Sequence, residues 1–152
     1  MQQPQPDELT KQLDARYRTM TILWGALVLT LGLYFIMTIF IQKPDSEDTQ
    51  SRVLTFALTA AGVFLVIVSF AVKQKVVSQA EAKQDPALVQ TGLIIALAFC
   101  ESAALLGLFD FFTTGNRFYF VTFIVALVGM ILHFPRREHL AVASYRRQIS
   151  GK

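Results

Sequence analysis

The chain reads as an all-α membrane protein, a four-transmembrane-helix bundle with both termini on the cytoplasmic side (N-in/C-in). Three observations carry that expectation. Four long apolar windows hold almost none of the charge, and the short segments between them hold nearly all of it. The hydrophobic fraction is 53% and the charged fraction 16%, above and below the soluble norm. The cations are also lopsided. With the termini and segment 73–87 placed on one side, only Lys43, Arg52 and Arg117 of the 14 Lys+Arg fall on the other. The positive-inside rule then puts both termini in the cytoplasm of a bacterial-type cytoplasmic (inner) membrane.

The 152 residues fit one domain. A pI near 9.2 does not signal nucleic acid here, because the cations flank apolar spans instead of forming a patch interleaved with exposed aromatics. The bilayer is the expected anionic partner, with Lys73, Lys75, Arg136 and Arg137 placed to meet lipid headgroups. The single Cys100 excludes an intrachain disulfide and any CxxC site. Its apolar neighbours give it the role of a small packing residue. The first apolar run follows a polar lead-in containing Asp7, Glu8 and Asp14, and no A-x-A cleavage site follows it. It is expected to remain as a signal anchor.

Residues 1–18 are the cytoplasmic N-terminal segment. MQQPQP offers nothing to bury; Pro6-Asp7 then starts a short amphipathic helix, with Leu9, Leu13, Tyr17 and Met20 at helical spacing. Residues 19–134 form the transmembrane domain. Its first span, about 19–41, carries Thr30, Tyr34 and Thr38 as a mildly polar strip, with Trp24 as an interfacial anchor. The acidic linker QKPDSEDTQSR lacks the glycine turn and closing glutamate of a calcium loop.

The second span, about 53–72, places Thr55, Thr59, Gly62 and Ser69 on one side, a seam that lets another helix approach closely. No helix breaker follows until Asp85-Pro86, so the helix is expected to continue beyond the apolar region. The third span, about 88–112, aligns Ala96, Cys100, Ala103 and Gly107 as a stripe of small residues. Asp110 shares that side but lies near the span's exit, where it is expected to reach water. TTGNR forms a tight turn. The fourth span, about 118–134, lines one face with Thr122, Ala126, Gly129 and His133. His133 is expected at the membrane surface beside Arg136 and Arg137. The basic cytoplasmic tail, 135–152, is expected to lie along the interface.

Glu101, close to the middle of the third span, is the chemical signal of the chain. A charge at that depth costs about 2.5–3.5 kcal/mol by the gentlest estimates, so it requires a partner, a proton or a function. It shares its side of the helix with Gln90, Leu97 and Leu108. Counting inward from the span ends brings Thr30 and Thr59 to its depth, and no Lys or Arg occurs there. Three readings follow. Glu101 handles a proton or cation with Ser102, Thr59 and Thr30 as hydrogen-bonding neighbours; or it is protonated and hydrogen-bonded structurally within an accessory subunit; or it pairs with a charge on another subunit. Each suits a homo-oligomer or a complex with other membrane subunits.

The run Ile94-Ile95-Ala96-Leu97-Ala98, followed by Glu101-Ser102-Ala103-Ala104-Leu105-Leu106-Gly107-Leu108, resembles the carboxylate helix of the ring-forming proteolipid (c) subunits of rotary ATPases. That resemblance implies that Glu101 is the ion-carrying carboxylate and that Ser102 adds a hydroxyl ligand. It is confined to the third span, and the first span lacks the glycine-every-fourth pattern of those rings. No Ser-His-Asp grouping, HExxH or phosphate loop can be assembled from the sequence. No catalytic residue, metal site or cofactor is therefore expected, and the chain is not read as an enzyme.

Overall fold

The computed structural model describes residues 6–41, 49–83 and 85–138, apart from the side chains of 6–10 and 12. The acidic linker and the basic tail beyond 138 lie outside the described residues. The chain is helical throughout its described elements: α1 Pro6–Phe40, α2 Thr49–Lys83, α3 Pro86–Thr114, a 3₁₀ turn at Arg117–Tyr119, and α4 Phe120–Leu132. Leu13–Phe40, α2 and α3 are each long and apolar enough to cross a membrane, whereas the apolar segment Arg117–Leu132 is shorter.

Local chemistry sets the breaks. The Asp85 side chain accepts the Ala87 N–H at 2.9 Å, and Pro86 occupies the first helical position, so α3 starts with a complete N-cap. It ends at Gly115, whose φ of 63° is left-handed and whose N–H returns to the Phe111 carbonyl. Asn116 then caps the 3₁₀ turn by accepting the Phe118 N–H at 3.0 Å. The lead-in helix and first span are one continuous element, as are the second span and its extension to Lys83.

α2 and α3 run antiparallel and stay packed along their length. Val76 meets Gly92, Ser69 meets Cys100, the Cβ of Ala103 lies against Gly62, and Thr55 meets Asp110. α4 lies in the groove between them, antiparallel to α3. A Cβ on Gly129 would lie 2.9 Å from Val66 Cγ1 and 3.0 Å from Cys100 Sγ, so this three-helix line closes only with glycine there. Ala96, Leu97, Cys100, Ala103, Ala126 and Met130 are fully buried along it.

α1 is attached differently. It touches α3 and α4 but makes no close approach to α2 among the described residues. Trp24 Nε1–H donates to the Met130 carbonyl at 2.8 Å, and its ring meets Phe134 edge-on. Phe35 meets Phe123, and Arg137 lies over the Tyr17 ring and 3.8 Å from Asp14. The last pair is exposed and contributes little. Leu29, Ile39 and Phe40 leave α1's outer face broadly apolar, as do Phe56, Phe64 and Ile67 on α2.

Candidate functional site

α3 carries two carboxylates nine positions apart, and the bundle treats them oppositely. Glu101 sits at the rim of the packed face, only partly covered. Residues seven before, four after and eleven after it lie on its side of the helix. These are Ile94, Leu105 and Phe112, which are 40%, 44% and 42% exposed. Leu97 on the same side is buried and Leu108 partly so, so the carboxylate stands at the edge between the packed face and an apolar wall left open among the described residues. Among the described residues it has no hydrogen bond or ion pair.

The three residues expected beside it bond elsewhere. Thr30 Oγ1 donates to the Ala26 carbonyl at 3.0 Å, and Ser102 Oγ donates to the Ala98 carbonyl at 2.9 Å. Thr59 Oγ1 shares a hydrogen bond of 3.1 Å with Thr122 Oγ1 inside the α2–α4 contact. The packing residues Gly62, Ala96, Cys100, Ala103 and Gly107 are all buried, Gly62 facing Ala103 of α3 and Thr122 of α4, and Gly107 facing Thr122 and Phe123 of α4. Lys75, Arg136 and Arg137 are exposed, and Lys73 is partly covered.

Asp110 corrects the sequence reading. It was expected at the water boundary, yet it is 0% exposed. Its position on the small-residue side points it at α2, and the chain leaving α3 folds back over it, with Thr114 and Asn116 also buried. Oδ1 accepts hydrogen bonds from Thr55 Oγ1 at 3.0 Å and Thr114 Oγ1 at 2.9 Å. Thr114 Oγ1 in turn accepts the Asn116 N–H at 3.1 Å. Oδ2 is buried with no hydrogen-bond partner among the described residues.

His133 is the second correction. It was expected at the surface and is 0% exposed, because α2 continues past the end of α4 and covers it. The Phe70 ring packs against it at a tilt of 53°, with ring centroids 4.3 Å apart. Nδ1–H donates to the Gly129 carbonyl at 2.7 Å, leaving Nε2 as an acceptor 3.3 Å from Ser69 Oγ. The single Ser69 Oγ–H is shared between that nitrogen and the Val66 carbonyl, 2.6 Å away, and the same oxygen lies 3.7 Å from Cys100 Sγ.

The interior polar groups thus form a broken line along α2–α3–α4. Asp110, Thr55 and Thr114 stand at one end, Thr59 and Thr122 follow, and Ser69, Cys100 and His133 stand at the other. The spacing of both ends is in the sequence, though their enclosure is not. Asp110 and Thr114 extend the helical spacing of Cys100, Ala103 and Gly107, and Thr55 and Ser69 belong to the seam that meets them. No family model, curated protein or solved structure matches the chain.

Proposed function

We propose that this protein is a small polytopic membrane subunit that handles a proton or cation through Glu101 at a contact with another membrane subunit or a second copy of itself. The supporting observation is the setting of Glu101. A carboxylate close to the middle of an apolar helix has no partner among the described residues and borders the exposed Ile94, Leu105 and Phe112. A carboxyl placed there can exchange a proton or ion with whatever completes its surroundings.

The same reading places four spans in a bacterial-type cytoplasmic membrane, with both termini inside. The fourth span is the 3₁₀ turn and α4 together, about 24 Å at about 1.5 Å per residue. Phe118 and Phe134 flank it, and the exposed Arg136 and Arg137 follow at the cytoplasmic headgroups. Lys73 and Lys75 take the same level on α2.

A second reading is favoured by the broad apolar outer faces of α1 and α2. In it the protein is a non-catalytic accessory subunit, and a protonated Glu101 hydrogen-bonds a partner helix. Glu101→Gln separates the two, since glutamine keeps shape and hydrogen bonding but carries no proton. In native membranes or proteoliposomes, loss of proton- or cation-dependent flux with assembly intact supports ion handling. Unchanged flux and intact assembly overturn it in favour of the accessory role.

A further inference from the structure

The buried carboxylate at the other face of α3 has hydrogen-bonding capacity that its own chain does not fill. Oδ1 is served by two hydroxyls, while Oδ2 is sealed from solvent without a partner. Ionised, Asp110 leaves the acceptor sites of Oδ2 unused. Protonated on Oδ2, it presents an O–H donor with no acceptor. Either state is short of one partner, so a proton alone does not complete the site.

Chemistry selects that partner. No Lys or Arg among the described residues forms an ion pair with Asp110, so in its ionised state the buried carboxylate needs a bound cation to balance it. The surrounding ligand atoms are all hard oxygens: the carboxylate, the hydroxyls of Thr55 and Thr114, and the Asp110 carbonyl, 2.9 Å from Thr114 Oγ1. Among the described residues no group of three or more His, Cys, Asp or Glu side chains could hold a metal ion, so the oxygens do not belong to a transition-metal set. One carboxylate balances one positive charge. Oδ1 and the two hydroxyl oxygens form a triangle with edges of 3.0, 2.9 and 3.4 Å, close enough to share one small ion that the carboxylate would hold through Oδ2 as well. The hydroxyl protons can swing off Oδ1, that of Thr114 onto the Asp110 carbonyl 2.9 Å away, and so turn a lone pair toward the ion.

We propose that Asp110, Thr55 and Thr114 form a binding site for a small monovalent cation, of sodium's size, at the end of the α2–α3–α4 seam beside the Gly115 turn. The ion joins α2 to the end of α3 and steadies the turn into α4, whose Asn116 N–H already rests on Thr114. The site is independent of the Glu101 reading, because it lies on the other face of α3 and uses none of the same residues.

Thermal unfolding of the full chain in detergent tests it, because an ion that binds only the folded state raises the midpoint with its concentration. At matched ionic strength, sodium chloride should raise the midpoint by several degrees over choline chloride, with potassium giving a smaller rise. The shift should persist in Glu101→Gln, which separates this site from the proposed ion-handling residue, and should be lost in Thr55→Val. Equal midpoints in sodium and choline for the wild-type chain overturn the proposal and leave Oδ2 to an ordered water. A full sodium shift retained in Thr55→Val, or one abolished by Glu101→Gln, overturns it as well.

Discussion

Glu101 and Asp110 stand on one helix and in one apolar environment by composition, yet one borders the outer wall and the other is sealed inside. The difference is angular. Asp110 lies half a helical turn from Glu101 around the axis, on the side that faces α2, and Thr114 and Asn116 close over it. Glu101 is only partly covered and borders the exposed Ile94, Leu105 and Phe112. Distance from a span's end measures depth in a membrane, whereas burial within the protein depends on which neighbours share that side. A carboxylate deep in the bilayer and a carboxylate deep in the protein are therefore separate properties. Under the proposed membrane placement they belong to different residues.

The contrast between packed seam and open wall can be broken by mutation, and the largest effect is expected at the tightest contact. Gly129→Leu drives a side chain into Val66 and Cys100, where even a Cβ would sit 2.9 and 3.0 Å away. It should destabilise the protein by about 3 kcal/mol, seen as a collapsed yield of monodisperse protein in detergent. Gly25→Ala on α1 meets nothing within 4 Å. It should leave the melting midpoint unchanged or raise it, because alanine favours helix by about 0.5–1 kcal/mol.

The carboxylates should differ next. Asp110→Leu removes the Oδ1 acceptor shared by Thr55 and Thr114; Thr114 keeps the main-chain carbonyl of residue 110, so the cost falls on the buried Thr55 hydroxyl, about 1–3 kcal/mol. Glu101→Leu removes no intrachain bond and should leave the unfolding midpoint in detergent within error. A smaller loss, about 1 kcal/mol, is expected for Trp24→Phe, which deletes the bond to the Met130 carbonyl. Because that bond ties α1 to α4, hydrogen exchange should quicken along α1 and stay unchanged in α2. Thr30→Val removes only a bond within its own helix and should shift stability by no more than about 0.5 kcal/mol.

Much of this architecture was legible in the sequence. Helical spacing marked Thr55, Gly62 and Ser69 on α2, the small residues of α3, and Thr122 to His133 on α4, and these residues face one another across the seam. The Asp85-Pro86 start and the Gly115 turn followed from local backbone chemistry. Which carboxylate is enclosed did not follow. Enclosure of Asp110 needs the register of α2 against α3 and the fold of the short turn, neither of which a single helix's pattern contains. The position of His133 was hidden for the same reason: α2 had to extend beyond the end of α4 to cover it. The eccentric placement of α1 depends on Trp24 finding a carbonyl exposed at the end of another helix, a long-range match without a periodic signature.

Labelling with dicyclohexylcarbodiimide in native membranes, mapped by mass spectrometry of the resulting peptides, tests this arrangement most directly. The reagent partitions into the bilayer and reacts with protonated carboxyls that it can reach. The account predicts modification at Glu101 and none at Asp110 while the protein is folded. Modification of Asp110 with Glu101 left untouched would contradict it.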